Sequence, residues 1–283
     1  MSLPAFGLVV VGFESTAEWD GFFASIESSS LPPAAIVVVD NSPDLSLQSD
    51  SWGALPVSVV HTPENLGYGG AANRGASALP PNLDWIVICN PDSRFHTKTM
   101  FNLLQERHAL PKTGVLGPRV LTTGGEVFPS ARAIPGIRIG IGHAVLSKLW
   151  PNNPWTAAYL GTYEGEEPKS VGWLSGSFIL VNRSAFSSIG GFDERYFMFF
   201  EDVDLGLRIK QSGHRNVYVP AARVTHSGAH STLNHEKEML LAHHKSAGLF
   251  LEKLYPRKTQ RLLVATLRAG LQLRAWIQTR KLQ

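Results

Sequence analysis

The residues best suited to chemistry in this chain are the carboxylates of the segment 191–205, GFDERYFMFFEDVDL. Glu201 and Asp202 directly follow an aromatic run, and the apolar spacing after them predicts a helix from about Asp202 to Gly213. A helix N-cap would account for one of these carboxylates and leave the others unexplained. A carboxylate at a helix N-terminus, walled by aromatic side chains, is suited to act as a general base for a hydroxyl group. The pattern therefore favours Asp202, with Glu201 beside it, as catalytic residues.

Two further polar residues follow predicted strands and carry donor atoms that a hard divalent cation binds. Asp92 ends the sequence Asn90-Pro91-Asp92, where a simple turn is the alternative. Mg²⁺ or Mn²⁺ takes carboxylate oxygens and keeps open positions for diphosphate oxygens. His226, with His230 after it, is either a solvated loop histidine or a second ligand of the same ion. Because one carboxylate is too few for a tight site, the ion would arrive largely with a nucleotide.

A glycine-rich segment, ENLGYGGAANRG at 64–75, runs into a predicted helix. Gly67 and Gly69 allow a ligand to approach the backbone closely, and a helix N-terminus favours phosphate. Gly67, Gly69 and Ala72 also match the dinucleotide fingerprint, with Asp92 lying 20 residues further on. That fingerprint belongs directly after the first strand, whereas two strand–helix units precede this segment. A dinucleotide-binding oxidoreductase is therefore a remote alternative.

The pair Asp40-Asn41 directly follows a hydrophobic strand. One interpretation is an Asx turn. The other is that Asp40 accepts the imide N–H of a uracil or thymine ring, since a carboxylate at the carboxyl end of a strand can face a crevice. The residues alone leave both interpretations open.

The elements that position these residues alternate between strand and helix in the first half of the chain. Continuous apolar strands of this kind predict a mostly parallel sheet covered on both faces, with ligands beyond the carboxyl ends of the strands. Residues 117–172 are rich in Gly, Pro and Trp and predict an irregular excursion. Regular elements return afterwards, and the tail from 235 is predicted to be helical. The predicted strands are Leu8–Val11, Ala35–Val39, Val57–Val60, Trp85–Cys89, Ser177–Val181 and Asn216–Val219, and the predicted helices include 15–25 and 184–189.

The composition fits a folded protein of 283 residues, with 43% apolar and 17% charged residues. These values exclude a disordered chain or a coiled coil. No apolar run approaches the roughly 20 residues of a membrane-spanning helix. The apolar run Phe6–Phe13 is only as long as a strand, so we expect Met1–Phe13 to be neither a signal peptide nor an anchor. The single cysteine, Cys89, excludes an internal disulfide and fits a reducing compartment.

The net charge of +3 is unevenly distributed. Eight basic residues and no acidic residue lie between Lys253 and Gln283, so the rest of the chain carries −5. Arg257, Arg261 and Arg268 fall on nearly one helical face, with Leu263, Leu267 and Leu271 on another. This pattern predicts either a surface helix packed on the body or an interfacial helix on an anionic membrane. Nucleic-acid binding is disfavoured because the body is acidic and contains no recognised module.

The order of the motifs resembles family 2 glycosyltransferases of the rhamnosyltransferase type over about residues 6–251. The motifs are DNS at 40–42, NLGYGGAAN at 65–73, NPD at 90–92, GGFDERYFMFFEDVDLGLR at 190–208 and PAARVTH at 220–226. Further stretches resemble the actinobacterial branch that acts on decaprenyl-diphosphate-linked N-acetylglucosamine, which makes the linker between peptidoglycan and arabinogalactan. These are FPSAR at 128–132, HAVL at 143–146, WPNNPWT at 150–156, VGWLSGS at 171–177 and AHHKS at 242–246.

This resemblance implies an α/β GT-A fold with a mostly parallel Rossmann-like sheet, helices on both faces and a C-terminal helical tail. It also implies a dTDP-L-rhamnose donor, Mg²⁺ or Mn²⁺ as cofactor, and inversion at the anomeric carbon. By position, Asp40 would bind the thymine, Asp202 would be the base, and Asp92 and His226 would hold the metal. The residues implied for the nucleotide-sugar pocket are Asp40, Asn41, Asn65, Gly67, Gly69, Asn73, Asp92 and Trp173.

We therefore expect a catalytic domain at 1–234 and a basic amphipathic tail at 235–283 that contacts an anionic membrane. The expected reaction is rhamnosyl transfer to polyprenyl-diphosphate-linked N-acetylglucosamine, at the cytoplasmic face of the plasma membrane. A family 2 enzyme with another donor or acceptor is the main alternative. A homodimer is left open, and no nucleic-acid partner is expected.

Overall fold

The structure is a computed structural model, and it describes residues 3–43, 47, 52–136, 150, 153–156, 165–228 and 236–280. The described strands are β1 (Phe6–Gly12), β2 (Ala35–Asp40), β3 (Val57–His61), β4 (Trp85–Cys89), β5 (Ser93–Phe95), β6 (Thr113–Leu121), β7 (Ala131–Arg132), β8 (Lys169–Val171), β9 (Trp173–Leu174), β10 (Phe178–Asn182) and β11 (Arg215–His226). The described α-helices are α1 (Trp19–Glu27), α2 (Gly67–Ala78), α3 (Thr99–Gln105), α4 (Arg183–Ser188), α5 (Glu201–Gln211), α6 (Glu236–Leu254) and α7 (Arg261–Arg280).

Nine of the described strands form one mixed, mostly parallel sheet. Eight of them lie in the order β3-β2-β1-β4-β10-β6-β11-β5, and β8 pairs with β11. Strands β3, β2, β1 and β4 are parallel to one another, whereas β10 runs antiparallel between β4 and β6. The start of β10 therefore lies at the same sheet edge as the carboxyl ends of β1, β2 and β4. Polar loops from four strands meet at that edge.

Both faces of the sheet are buried, because successive side chains of its central strands point to opposite faces. Leu8 and Val10 of β1 pack on one side with the aromatic residues of α1 and with α3. Val9 and Val11 pack on the other side with α2, α4 and α5. This arrangement explains why the central strands are apolar throughout, and it confirms the predicted α/β class.

The strand predicted at Asn216–Val219 is longer than its apolar run indicates. β11 continues to His226, with a shift in its register to β6 between Val219 and Arg223. Pro220 lies inside this irregularity and has no N–H to donate to a neighbouring strand, which is how proline is tolerated in a sheet. The extension matters because it carries His226 to the edge where β4 ends.

The C-terminal residues form two long helices, of which α6 belongs to the packed body. Phe250 is buried in a cluster with Trp173, Tyr196, Val203 and Leu207. Lys253 lies 2.5 Å from the fully buried Asp204 and 3.1 Å from Asp193. The predicted boundary at 234 falls in a stretch outside the described residues, so the division into a catalytic domain and a tail stays a prediction.

Helix α7 packs on α6, and its orientation differs from the predicted one. Arg257 precedes the helix, and Arg268 turns toward α6, where it pairs with Glu252. Leu267 and Leu271 are half-buried. The predicted basic face is therefore wrong. The chain turns after Pro256, so Arg257 is not part of the helix, and Arg268 pairs with Glu252 inside the hairpin of α6 and α7. Among the described helices, none is sufficiently long and apolar to cross a membrane.

Candidate active site

A cleft of about 510 Å³ opens at the sheet edge where β1, β2 and β4 end. Its floor carries Asn90 and Asp92 after β4, and its wall carries Glu201 and Asp202 from the first turn of α5. Other residues that line it are Phe13, Glu14, Ser15, Asn41, Asn65, Tyr68, Phe128, Ser175, Gly176, Ser177, Met198, Phe199 and His226. The fold thus brings the predicted metal ligands and the predicted base into one cavity.

Asp92 and His226 form a buried pair in this cleft. His226 Nε2 lies 3.0 Å from Asp92 Oδ1, and Asp92 Oδ2 accepts a hydrogen bond from the Gly228 N–H at 3.1 Å. Oδ1 itself receives no hydrogen bond from a described residue. A buried carboxylate oxygen without a donor is costly, and a cation placed between Oδ1 and Nε2 would satisfy both atoms.

The donor set fits a cation that shares its coordination with a ligand. No group of three or more His, Cys, Asp or Glu side chains that could hold a metal occurs in the described part of the chain. Asp92 and His226 would therefore supply two ligands and leave positions for diphosphate oxygens, as Mg²⁺ and Mn²⁺ allow. His230, the other histidine of this loop, lies outside the described residues.

Asp202 is held by backbone donors at the wall of the cleft. The Gly176 N–H donates to Asp202 Oδ2 at 3.1 Å, and the Val203 N–H donates to Oδ1 at 2.8 Å. The helix begins at Glu201, with Phe200 at the N-cap position. The N-cap interpretation of Asp202 is therefore wrong, and its carboxylate is held at the cleft by the turn before β10.

Glu201 is buried beside Asp202 and has a different environment. Its Oε2 receives no hydrogen bond from a described residue. Burial, followed by the negative charge of Asp202, raises the pKa of Glu201 well above its usual range. Burial also raises the pKa of Asp202, whereas hydrogen bonds from Gly176 and Val203 lower it. The backbone donors on Asp202, which Glu201 Oε2 lacks among the described residues, favour ionisation of Asp202 over that of Glu201.

The loop before α5 is conformationally strained. Phe199 and Phe200 have φ of 65° and 64°, a left-handed conformation that costs about 1–2 kcal/mol for each residue with a side chain. Such strain persists where the surroundings enforce it and is concentrated at functional sites. Here the strained loop places Met198 and Phe199 in the cleft. Helix α5 begins directly after them, and its carboxylates line the same cleft.

Two of the asparagines implied for the nucleotide pocket line the cleft and bond to each other. Asn41 Nδ2 donates to Asn65 Oδ1 at 2.7 Å, and Asn41 Oδ1 accepts from the Leu66 N–H at 3.0 Å. Asp40 lies next to Asn41 and accepts from the Ser42 N–H at 3.1 Å and contacts His61 Nδ1 at 3.2 Å. The Asx turn is thus present, and the binding of a base by Asp40 stays a prediction.

The glycines of the 64–75 segment contact protein rather than the cleft. Gly67 has φ of 70°, and a Cβ there would collide with the Phe197 carbonyl. A Cβ at Gly69 would lie 2.9 Å from Phe192 Cβ. Asn73 Nδ2 donates to the Phe192 carbonyl at 2.9 Å. These residues hold the acidic segment against α2, and their place in a nucleotide-sugar pocket stays a prediction.

Trp173 also lies away from the cleft. Its side chain is buried with Tyr196, Val203 and Phe250, and its indole N–H donates to the Ala133 carbonyl at 3.0 Å. The structure therefore gives Trp173 a packing role under α5. Its assignment to the nucleotide-sugar pocket has no support in this geometry.

Residues that the motif analysis missed complete the cleft. The Tyr68 hydroxyl donates to the Gly176 carbonyl, while the Gly176 N–H donates to Asp202. The Phe128 ring lies 6.4 Å from the ring of His226. A tyrosine between two glycines was the available signal for Tyr68. Gly176 and Phe128 gave none by residue type, because their roles depend on loop placement.

Comparison with protein families gives matches across most of the chain. A model described as "Glycosyl transferase family 2" matches residues 22–190, and one described as "Glycosyltransferase like family 2" matches residues 160–240. The chain is 40% identical to the N-acetylglucosaminyl-diphospho-decaprenol L-rhamnosyltransferase of Mycobacterium tuberculosis, over 96% of this chain and 92% of that protein. It is also 40% identical to rhamnosyltransferase WbbL of Escherichia coli, over 29% of this chain and 31% of that protein.

Solved structures share the fold at low identity. GalNAc-T7, crystallised with UDP, GalNAc and Mn²⁺, matches 80% of this chain with a TM-score of 0.58 and 16% identity. A mannosyltransferase of Pyrobaculum calidifontis, in complex with GDP-Man and Mn²⁺, matches 90% with a TM-score of 0.57 and 14% identity. This chain spans 44% and 65% of those two chains, respectively. At these identities the likeness concerns the fold.

Proposed function

Because this chain belongs to glycosyltransferase family 2, we propose that it transfers L-rhamnose from dTDP-L-rhamnose to polyprenyl-diphosphate-linked N-acetylglucosamine. The chain is a glycosyltransferase of the GT-A fold, as predicted. A relative that is 40% identical over 96% of this chain is an N-acetylglucosaminyl-diphospho-decaprenol L-rhamnosyltransferase. The observation that carries the proposal is the single cleft that Asp202, Asp92 and His226 line together.

The proposed reaction is a single displacement with inversion. Asp202, ionised and oriented by the Gly176 and Val203 N–H groups, accepts the proton of the acceptor hydroxyl. The hydroxyl oxygen forms a bond to the anomeric carbon of rhamnose while the bond from that carbon to dTDP breaks. General-base catalysis of this kind contributes about 10²–10⁴-fold. We propose that Glu201, whose pKa is raised by burial and by the charge of Asp202, is the protonated member of the pair.

The proposed metal site consists of Asp92 and His226. A divalent cation held there would offset the negative charge of the departing diphosphate. The unsatisfied Asp92 Oδ1 and the nearby Nε2 of His226 support this assignment. The Gly228 N–H fixes the other carboxylate oxygen, so Asp92 is held in position before the donor arrives. The choice between Mg²⁺ and Mn²⁺ is left to experiment.

Asn41 and Asn65 are proposed to line the donor nucleotide, with Asp40 accepting the imide N–H of thymine. The two amides support this by joining the end of β2 to the start of α2 at the cleft wall. Asp40 would then exchange part of its present contact with His61 for a contact with the base. We further propose that the enzyme works at the inner face of the plasma membrane, because a polyprenyl acceptor is anchored there.

A donor–acceptor panel tests this proposal. The purified chain is incubated with dTDP-rhamnose, UDP-glucose, UDP-N-acetylglucosamine or GDP-mannose and a short-chain polyprenyl-diphosphate-N-acetylglucosamine, with and without chelator. We expect a rhamnosylated product from dTDP-rhamnose alone, and its loss on chelation. Product from another nucleotide sugar would mean that this sugar, and not dTDP-rhamnose, is the donor. No reaction with dTDP-rhamnose under either condition would contradict the proposed substrate pair.

A further inference from the structure

Helix α7 carries an apolar face that points away from the rest of the protein. Val264 and Ala275 are its buried positions. On the opposite side, Leu262 is 81% exposed and Leu273 57%, while Trp276, 51% exposed, lies at the border of this side, where it also lines the groove between α6 and α7. A helix that is apolar on all sides is normally buried on all sides, and large exposed apolar patches mark interaction surfaces. We call Leu262, Leu273, Trp276 and Ile277 the α7 face.

Cations border this face, and carboxylates are absent from the helix. α7 contains four arginines and no acidic residue. At 100° per residue, Arg261 and Arg274 fall on the two opposite borders of the α7 face. The Arg280 guanidinium lies 3.9 Å from the centroid of the Trp276 ring. Apolar side chains between basic ones form the pattern of a helix that lies in the plane of a membrane surface.

We propose that the α7 face seats the enzyme on an anionic lipid bilayer. The apolar side chains would enter the boundary between headgroups and acyl chains, and Arg261 and Arg274 would contact lipid phosphates. This inference deepens the proposed function, on which it rests, because it identifies the surface that brings the cleft to a membrane-anchored acceptor. The charge pattern favours lipid over a second copy of the chain, since a self-complementary contact would bring like-charged arginines together.

The hairpin of α6 and α7 connects this face to the cleft. The rings of Phe199 and Phe200 each lie 5.4 Å from the ring of His243 on α6. His244 of α6 lines one groove with Ala275 of α7, which places the C-terminal half of α7 against the same part of α6. The C-terminal half of the α7 face therefore lies at the end of the hairpin that supports the catalytic loop.

Vesicle flotation of the full chain tests the proposal. We expect binding to phosphatidylglycerol-containing vesicles, weaker binding to pure phosphatidylcholine, and release at high salt. L262E/L273E should weaken binding by about tenfold or more, because it places two charges at the interface. The matched control is Phe101→Glu on α3, an exposed aromatic at 44% outside the α7 face, which should bind as the wild type does. R261Q/R274Q should lose the preference for anionic lipid.

The outcomes separate the inference from its alternatives. Absence of vesicle binding by the wild type, or equal binding by L262E/L273E, overturns it. A dimer in sedimentation that dissociates in L262E/L273E, without lipid binding, assigns the face to a second copy instead. Transfer to a water-soluble acceptor analogue should be unchanged in this variant and serves as the folding control. If the wild type binds vesicles but transfers nothing, the proposed function fails while the membrane surface stands.

Discussion

The Nε2 of His226 lies 3.0 Å from Oδ1 of Asp92, an oxygen that no described residue supplies with a hydrogen bond. The two residues are distant in sequence and meet because β11 runs antiparallel to β5, with His226 opposite Ser93. The fold therefore places an imidazole nitrogen and a carboxylate oxygen side by side at the end of the sheet. A cation that keeps open coordination positions fits there.

His226→Ala should raise the cation concentration needed for half-maximal transfer by at least about tenfold. Mutation of residues that only support a metal ligand already lowers metal affinity by about that factor. Transfer rate is measured against Mn²⁺ and Mg²⁺ concentration. His96→Ala is the matched control, since His96 is exposed and bonds Thr225 outside the cleft. An unchanged metal dependence in His226→Ala would remove His226 from the metal site.

Asp202→Asn should lower kcat by about 10²–10⁴-fold, because the amide cannot accept the hydroxyl proton. Donor affinity, measured calorimetrically with dTDP-rhamnose, should change little. Glu201→Gln should stay within about tenfold of the wild type, because burial and Asp202 raise the pKa of Glu201 and so favour its neutral form. The reverse ranking of the two variants would make Glu201 the base.

Glu201 should also make stability depend on pH. Its pKa is raised in the folded state by burial and by Asp202, so the folded protein binds this proton more tightly than the unfolded chain does. Stability from this group is then lost as pH rises from the unfolded pKa through the folded pKa. Glu201→Gln should raise Tm more at pH 8 than at pH 4.5, whereas Glu64→Gln, an exposed substitution, should show no such difference. An equal effect at both pH values would contradict the assignment.

Gly67→Ala should destabilise the protein by about 3 kcal/mol or more, since it combines a left-handed backbone with a collision against the Phe197 carbonyl. Gly190→Ala is the matched control, because its φ is 75° and no atom lies within 4 Å of the added Cβ. That variant should cost only about 1–2 kcal/mol. Urea unfolding measures both. If the two variants lost equal free energy of unfolding, α2 and the acidic segment could move apart at Gly67 without a cost in stability.

The positions of the residues proposed as metal ligands and base were predictable in part, because some of them depend on local patterns. Asp92 follows a continuous apolar strand, and Asp202 lies in the first turn of a helix behind an aromatic run, so both lie next to element boundaries that the sequence indicates. The rule that parallel strands present their carboxyl ends at one edge accounts for Asp92, whereas His226 reaches the cleft through the unpredicted extension of β11 and Asp202 through the placement of α5. The structure brings all three to one cleft.

The roles of Gly67, Asn73 and Trp173 could not be predicted from the sequence, because they depend on which segment packs against them. The local sequence looks the same whether a ligand or, as at Gly67, the Phe197 carbonyl fills the space beside a glycine. The same holds for α7, whose exposed face depends on its docking against α6. Periodicity identifies an apolar stripe but does not identify which of two stripes meets the body.

The most direct measurement is transfer from dTDP-rhamnose to a polyprenyl-diphosphate-N-acetylglucosamine analogue, compared between the wild type and Asp202→Asn by mass spectrometry of the lipid product. We predict that the wild type adds one deoxyhexosyl unit in a metal-dependent reaction and that Asp202→Asn, although it binds the donor, adds almost none. Transfer by Asp202→Asn at the wild-type rate, or no rhamnosyl product from the wild type, would contradict this prediction.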